Sequence, residues 1–181
     1  MEIDKGVMIQ QVSSLLKRCG CGDDKVARLE KIGYFEAPAS ERRHLAVAGG
    51  LALHSLNVVE RLIELKAFED EAKCIRVGLL HDLVKCNLYQ RSDSGGFVSL
   101  GLEPFLKHEA ASALIACSLG FNLESDEIMA ITWHMVHYDL TDELNKSYAK
   151  ALGAYSREVV LTHAADYLAT LFEIQEEARH E

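Results

Sequence analysis

The sequence predicts an all-α fold, a single-domain helical bundle with one small β-hairpin inserted into it. Most of the chain follows the 3.6-residue hydrophobic period of amphipathic helices. Only two prolines, Pro38 and Pro104, interrupt the 181 residues, and 49% of the side chains are hydrophobic, which is enough for one substantial core. The sequence contains no internal repeat or low-complexity tract that would mark a second domain.

Seven helices are expected from the hydrophobic period together with caps and breakers. A Cys-Gly-Cys-Gly segment after Arg18 closes the first helix, and Ser125 is the expected N-cap of the sixth. The polar, glycine-interrupted stretch 139–155 is expected to be a loop or a frayed helix. The predicted helices span about 5–18, 24–32, 51–66, 70–84, 107–120, 125–138 and 156–178.

The stretch 86–104 departs from the helical pattern. Short runs on either side of Gly95-Gly96 are typical of two strands joined by a glycine-rich turn. This hairpin would leave one ligand-bearing helix and return at the next, so we expect it to cover the mouth of a site. Tyr89, Arg91 and Phe97 would then face a substrate. The alternative is that the hairpin lies on the surface at the far side of the molecule and has no role in the site.

Side chains with metal-ligand chemistry fall on the apolar faces of five predicted helices. His54 shares a face with Leu51 and Val58, and Asp82 stands where an apolar residue would be expected. The last helix has an inward stripe of Val159, His163, Asp166, Tyr167 and Thr170. The full ligand set is His54, His81, Asp82, His108, His134 and Asp166.

Each of these residues alone would more often be a hydrogen-bonded core residue than a ligand. Together, four imidazoles and two carboxylates without a neighbouring basic cluster are costly to bury, because an unpaired buried charge costs several kcal/mol or more. One or two divalent metal ions, drawn from Fe, Mn, Co, Ni, Zn and Mg, are the simplest explanation. The sequence therefore predicts a metal site, with Asp82 in a catalytic role.

Charge and cysteine content exclude several classes of protein. A formal net charge of −9 makes nucleic acid an unlikely partner and favours a small-molecule substrate. Five cysteines without a CxxC pair predict neither a disulfide framework nor a zinc knuckle. The sequence shows no membrane-spanning run and no signal peptide, so we expect a cytoplasmic protein. The oligomeric state is left open, with a homodimer as one outcome.

The motifs in their order resemble the HD superfamily of metal-dependent phosphohydrolases. The resemblance rests on Gly49-Gly50-Leu51-x-x-His54, Leu80-His81-Asp82-x-x-Lys85, His108, Trp133-His134 and His163-Ala164-Ala165-Asp166. It covers about residues 43–173 and implies an HD-type core over 43–181, with 1–42 as a helical extension packed on it. The sequence departs from the pattern at Val84, where a glycine is usual.

The resemblance also implies roles for these residues. His54, His81, Asp82 and Asp166 would be the primary metal ligands, while His108 and His134 match the extra ligands of the binuclear branch, with Asp82 bridging two metals. Lys85 would meet a substrate phosphate. The expected reaction is hydrolysis of a nucleotide or another small phosphate ester by a metal-activated hydroxide. A di-iron oxygenase and a non-catalytic nucleotide-binding regulatory module are the alternatives.

Further residues are candidates for supporting roles near this site. His137 and Tyr138, three and four residues after His134, are expected to contact the substrate, and so is Arg91 on the hairpin. Glu109 and His163 are expected to support the ligands by hydrogen bonds. Each of these could equally be an ordinary surface or core residue.

Overall fold

The computed structural model describes residues 3–93, 95–100, 108–135 and 142–180. It confirms an all-α bundle with one small antiparallel hairpin. The helices are α1 (Lys5–Arg18), α2 (Asp23–Lys31), α3 (Gly50–Glu64), α4 (Glu71–Leu80), α5 (His108–Ser118), α6 (Ser125–Trp133) and α7 (Asp142–His180). A 3₁₀ turn (Leu83–Asn87) follows α4 and leads into β1 (Tyr89–Arg91) and β2 (Phe97–Ser99).

Helix α3 lies at the centre of the bundle and packs against α4 on one side and α7 on the other. Its close approach to α4 depends on Gly78, where a Cβ atom would lie 2.5 Å from the Val59 side chain and 2.8 Å from the Val59 backbone. Helix α7 also packs against α6. The helices that supply the predicted ligands are therefore held directly against each other.

The first two helices share the hydrophobic core with α3 and α4. Val12, Leu16 and Leu29 are completely buried in this core. Tyr34, in the loop after α2, is also buried, and its hydroxyl donates a hydrogen bond to the Leu79 carbonyl at 3.0 Å. Since helix ends leave carbonyls without intrahelical partners, Tyr34 satisfies one of them at the end of α4.

Several element boundaries differ from those expected. Helix α4 ends at Leu80 and not near Val84, because Asp82 leaves helical geometry at φ −116°, ψ 22° and a 3₁₀ turn begins at Leu83. The N-cap of α6 is Glu124 and not Ser125, since Glu124 and Glu127 form a reciprocal capping box. Helix α6 ends at Trp133, with His134 as its C-cap, and residues 136–138 of its expected extension lie outside the described residues.

The expectation of a loop or frayed helix over 139–155 was wrong for its described part. Residues 142–154 are helical and run into the following helix, giving α7 its 39 residues. Only Tyr155 has non-helical angles, φ −136° and ψ 41°, and it marks a kink. The expected helix from residue 156 is therefore the second part of a longer, bent one.

The hairpin has the predicted strands and turn. Tyr89 pairs with Ser99 and Arg91 with Phe97, so side chains alternate between two faces of the ribbon. Gly95 and Gly96 both have positive φ, which explains why glycines occupy the turn. Among the described helices, none combines the length and apolar character needed to cross a membrane.

Candidate metal centre

The His-Asp pair is presented by the C-terminal end of α4. His81 is the C-cap of that helix, and its Nδ1 donates to the Gly78 carbonyl at 2.9 Å. This bond turns Nε2 toward the interior, where it lies 3.3 Å from Asp82 Oδ2. Both side chains are almost completely buried. The helix end therefore supplies one imidazole and one carboxylate to the same interior point.

Helices α3 and α7 add a second imidazole and a second carboxylate. His54 Nε2 lies 3.0 Å from Asp166 Oδ1 and 3.9 Å from Asp82 Oδ2. His81 Nε2 lies 4.0 Å from the same Asp166 oxygen. The structure thus brings the four primary ligands implied by the family resemblance, His54, His81, Asp82 and Asp166, into one cluster.

His134, which follows the last residue of α6, approaches from the opposite side of Asp82. Its Nδ1 donates to the Ile131 carbonyl at 2.7 Å, and its Nε2 faces Asp82 Oδ1 at 3.9 Å. Asp82 Oδ2 faces His54 and His81, so its two oxygens are directed at different imidazoles. This arrangement suits a carboxylate that contacts two ions at once.

The donor set fits divalent metal ions. Within the described part of the chain, the buried Nε2 atoms of His54, His81 and His134 have no hydrogen bond of normal geometry. Buried polar atoms are normally paired, so three converging unpaired nitrogens beside two carboxylates require an explanation. Among the described residues, three sets of candidate ligand atoms lie within 4.8 Å of one another. Two consist entirely of predicted ligands, namely His54, His81 and Asp166, and His81, Asp82 and His134, while the third is His44, His54 and Glu173. These groups could therefore hold a divalent metal ion.

Protonation equilibria in the cluster reflect the competition between burial and charge. Burial lowers the pKa of His54, but Asp166 and Glu173 outweigh it and raise that pKa to about 9. Burial and the neighbouring His81 lower the pKa of His134 to about 4. Burial would raise the pKa of Asp166, yet His54, with His81 and His134, holds it well below its usual range. Asp166 is therefore a carboxylate across the physiological pH range.

Glu173 is a functional residue that the sequence reasoning missed. It is buried on α7, and both of its oxygens accept from His54 Nδ1, at 3.0 and 3.1 Å. Asn57 Nδ2 donates to the same carboxylate at 2.8 Å. A carboxylate on the outer nitrogen of a ligand histidine fixes its tautomer and directs Nε2 to the metal. The sequence contained one signal for Glu173. It lies seven residues after Asp166, which places both side chains on the same face of the helix.

His44 was also missed, because it lies in a loop without hydrophobic periodicity. Its ring is 5.2 Å from that of His54, and its Nε2 is 3.6 Å from Glu173 Oε2. Neither ring nitrogen has a hydrogen bond of normal geometry within the described residues. Burial and the neighbouring His54 lower the pKa of His44 to about 4, so this ring is neutral at physiological pH.

Lys85 lies beside the cluster, one turn beyond the His-Asp pair. Its Nζ is 2.6 Å from Asp82 Oδ2, and only 14% of its side chain is exposed. Burial lowers the pKa of this amine, but Asp82 and Asp166 outweigh burial and raise it above its ordinary value. The site therefore includes a fixed positive charge in contact with the Asp82 carboxylate.

The structure describes only some of the remaining residues that the sequence predicted for the site. His163 Nδ1 donates to the His134 carbonyl at 2.7 Å, and Arg91 is exposed on β1. Tyr167, expected on the inward stripe, is instead 58% exposed, so that expectation was wrong. Helix α5 begins at His108, but the side chains of His108 and Glu109, and all of His137 and Tyr138, lie outside the described residues.

The hairpin borders a cavity of about 320 Å³ next to the 3₁₀ turn that carries Lys85. Tyr89, Arg91 and Phe97 of the hairpin line it, together with residues that include Glu36, Ala37 and Cys86. Burial raises the pKa of the Tyr89 hydroxyl. The nearby charges also affect this pKa, since Lys85 lowers it and Asp82 raises it. One face of the hairpin thus borders a cavity that also includes Cys86, the residue after Lys85, while the clustered ligands themselves do not line it.

Comparison with known proteins agrees with this geometry. Residues 51–171 match the family model described as HD domain, which covers well over half of the chain and includes all six predicted ligands. Neither a curated protein nor a solved structure matches the chain at the significance that we required. The resemblance seen in the motifs is confirmed: the chain belongs to the HD domain family, whose members are generally metal-dependent phosphohydrolases.

Proposed function

We propose that this protein is a metal-dependent phosphohydrolase acting on a nucleotide or another small phosphate ester. The observation that carries the proposal is the convergence of three buried, unbonded imidazole nitrogens on Asp82 and Asp166, with the Lys85 ammonium against one of those carboxylates. Imidazoles and carboxylates bind divalent transition metals, and a neighbouring cation is suited to a phosphate oxygen. The arrangement combines both requirements in one pocket.

His54, His81, Asp82 and Asp166 would hold one or two divalent ions, with His134 and, by the family resemblance, His108 as further ligands. Bound there, such an ion would supply positive charge for a phosphoryl oxygen and lower the pKa of a coordinated water. Glu173, the Gly78 carbonyl and the Ile131 carbonyl each occupy an Nδ1 atom, which keeps the Nε2 lone pairs directed inward.

Lys85 would stabilise negative charge that develops on the phosphate during hydrolysis. Its Nζ lies 2.6 Å from Asp82 Oδ2, and only 14% of its side chain is exposed. The ammonium would therefore be held near the reacting phosphate, where solvent screening is weak. Among the described residues, the candidate ligand sets consist of imidazoles and carboxylates, and a metal ion held by such ligands activates a bound water. Water is therefore the proposed nucleophile.

A nucleotide is the proposed substrate class because of the hairpin cavity. Tyr89 and Phe97 offer rings for base stacking, and Arg91 offers a cation at the same wall. The cavity volume of about 320 Å³ is in the range of small-molecule sites. The metal cluster would hold the phosphate while this wall contacts the base.

The test combines metal analysis with a substrate panel. The purified protein, stripped of metal and reloaded with Mn²⁺, Fe²⁺, Co²⁺, Ni²⁺, Zn²⁺ or Mg²⁺, is assayed against nucleotides and simple phosphate esters. We expect metal-dependent phosphate release that Asp82→Ala abolishes, while Asp126→Ala, which changes a surface carboxylate bound to Lys73, retains it. Metal binding without phosphate release from any substrate would reject the hydrolase and favour a regulatory module.

A di-iron oxygenase is the second candidate, because a mixed imidazole and carboxylate set without thiolates also suits iron. The same preparations separate the two reactions. Oxygen consumption with an organic substrate, measured with an oxygen electrode on the iron-loaded protein, would replace the hydrolase proposal if phosphate release were absent. Phosphate release that proceeds equally well without oxygen would exclude the oxygenase.

A further inference from the structure

The His44 imidazole continues the row of rings that forms the metal cluster. Ring centroids are 5.2 Å apart for His44 and His54, 5.4 Å for His54 and His81, and 5.0 Å for His81 and His134. The last three rings belong to predicted metal ligands, whereas His44 was not predicted for the site. It also precedes residue 51, where the family match begins. His44 is therefore a buried imidazole beside the cluster to which neither the motifs nor the match gives a role.

The polar atoms of His44 lack partners in the described part of the chain. The residue is 8% exposed, and neither ring nitrogen has a hydrogen bond of normal geometry. A neutral imidazole carries one N–H, and buried donors are normally paired. The acceptor next to this ring is Glu173 Oε2, 3.6 Å from His44 Nε2. That distance is too long for a hydrogen bond, but a small displacement of either side chain would form one.

Glu173 has the capacity to accept this bond. Its Oε1 accepts from His54 Nδ1 at 3.0 Å and from Asn57 Nδ2 at 2.8 Å. Its Oε2 accepts from His54 Nδ1 at 3.1 Å. Each carboxylate oxygen can accept about two hydrogen bonds, so Oε2 retains one position that the described contacts leave open. The His44 ring lies beside that position.

The backbone that carries His44 is fixed on both sides. Ser40 Oγ donates to the His44 carbonyl at 2.8 Å. The next residue, Leu45, has φ 46°, which is in the left-handed region that a leucine rarely adopts. Its N–H donates to Glu177 Oε1 at 2.9 Å, and a Cβ atom on Gly50 would clash with its carbonyl. Strained backbone persists only where the surrounding structure fixes it, and it is concentrated at functional sites.

We propose that His44 is a positioning residue of the metal centre, which donates its ring N–H to Glu173 and so fixes the carboxylate that orients His54. Asn57 would hold one oxygen of Glu173 and His44 the other, so that the carboxylate cannot turn away from His54 Nδ1. Glu177, one turn after Glu173 on α7, holds the backbone next to His44. The same helix therefore fixes both partners of the contact. The inference rests on the metal binding in the proposed function and not on phosphate hydrolysis.

Two substitutions at residue 44 separate hydrogen bonding from packing. Phenylalanine keeps a planar ring but has no N–H, while glutamine has no ring but can donate from its amide. We expect His44→Phe to lower Mn²⁺ affinity at least about fivefold, the order of one lost hydrogen bond, and His44→Gln to stay within about twofold of wild type. Calorimetric titration of the metal-free protein measures both. Arg42→Gln, at an exposed residue of the same loop that pairs with Glu41, is the control and should match wild type.

The route through Glu173 is tested in the Glu173→Gln background. If His44 acts on His54 through that carboxylate, adding His44→Phe should cause no further loss of Mn²⁺ affinity, because the charged acceptor is already absent. Additive losses would show that His44 acts by another route and would overturn the positioning role. Circular dichroism and thermal unfolding of the metal-free proteins report whether each variant is folded. Should His44→Phe fail to fold, His44→Leu, which is smaller and also lacks a donor, takes its place.

The outcomes distinguish this inference from the proposed function. Equal Mn²⁺ affinities in wild type and folded His44→Phe would overturn the inference and leave the proposed function intact. The loss of one bound ion in His44→Phe would also overturn it, because His44 would then be a ligand of a metal held with His54 and Glu173. A wild-type protein that binds no divalent ion would reject the proposed function and the inference together.

Discussion

Glu173 and His54 form a pair in which the carboxylate acts on the metal site through the imidazole. Both Glu173 oxygens lie close to His54 Nδ1, and Asn57 holds the carboxylate from the other side. Loss of the negative charge would make His54 a weaker metal ligand and loosen its orientation. This loss of metal affinity would follow from the charge of Glu173 alone and would not require any change in packing.

We expect Glu173→Gln to lower metal affinity by roughly 10- to 100-fold while preserving the fold. The amide keeps the size and one hydrogen-bonding oxygen but removes the charge. Titration with Mn²⁺ or Zn²⁺ by calorimetry measures the change, and Glu176→Gln, one turn away and paired with Arg179, serves as the control. Equal affinities in the two variants would show that Glu173 has only a packing role.

Lys85→Met should lower kcat/KM for phosphate ester hydrolysis on the order of 100-fold with metal content unchanged. Methionine retains most of the volume of the buried stem and removes the charge beside Asp82. The measurement is steady-state kinetics of the metal-loaded protein. Lys73→Met, at a surface salt bridge with Glu124 and Asp126, should leave kcat/KM unchanged. Unaltered kinetics in Lys85→Met would remove this lysine from the reaction.

Predictions of burial for single residues were most accurate where a polar side chain interrupts a regular apolar helix face. His54 and Asp82 are buried as the helical period predicted. Tyr167 was placed on the inward stripe, but it stands about 100° around the helix from Asp166 and is exposed. His44 gave no periodic signal, since it belongs to a loop and meets His54 only after folding.

At the scale of elements, the contact between α3 and α4 fixes how far His54 stands from the His-Asp pair. Gly78 permits this contact because an added Cβ would fall within 2.8 Å of Val59 backbone atoms, which cannot move aside as a flexible side chain can. The same glycine carbonyl accepts from His81 Nδ1. Any separation of the two helices would therefore also move a ligand.

Gly78→Ala should destabilise the protein by about 1–3 kcal/mol, since overpacking outweighs the gain in helix propensity. Gly153→Ala provides the matched comparison, because no atom lies within 4 Å of the Cβ that it would add to α7. That change should stabilise by about 0.5–1 kcal/mol. Chemical denaturation measures both, and a neutral or stabilising Gly78→Ala would contradict the close packing of α3 on α4.

The hairpin should affect substrate choice and not metal binding. Tyr89 and Phe97 point to one face of the ribbon and Val98 to the other. If the first face stacks on a nucleobase, Tyr89→Ala should raise KM for nucleotides about tenfold, in line with about 1–3 kcal/mol per stacked base. KM for a small ester without a base should stay constant, as should metal content.

Val98→Ala is the control for that experiment, because it removes a side chain from the opposite face of the same strand pair. A rise in KM for the base-free ester equal to that for nucleotides would indicate general damage to the site. An unchanged KM for both substrates would mean that the hairpin lies outside the substrate path.

Element boundaries were less predictable than element types. The end of α4 was expected near Val84, and both Leu83 and Val84 are buried. Asp82 nevertheless leaves helical geometry, which aims its carboxylate at the imidazoles of His54 and His134. The hydrophobic periodicity of the sequence cannot predict such a turn, because the turn depends on tertiary contacts between distant residues.

At the scale of the whole molecule, the metal site joins elements far apart in sequence. His54 on α3, the His-Asp pair after α4, His134 after α6 and Asp166 on α7 converge on one point. Bound metal would therefore stabilise the assembled bundle relative to the unfolded chain, since the site exists only after folding.

Removal of metal by a chelator should lower Tm by roughly 5–10 °C, given about 2.7 kcal/mol of ligand stabilisation at a hundredfold excess over Kd. Differential scanning fluorimetry measures the shift. In Asp82→Ala the chelator should have little effect, because that variant lacks the carboxylate between the two ligand sets. An identical Tm for wild type with and without chelator would argue against resident metal.

Tyr34 has a consequence for anyone who shortens this chain. The family match begins at residue 51, yet the hydroxyl that caps the Leu79 carbonyl comes from the segment before it. A fragment trimmed to the match would leave that carbonyl without its partner, two residues before His81, and would expose the surfaces of α3 and α4 against which α1 packs. Such a fragment would retain every ligand that the match contains while losing the support that places His81 and Asp82.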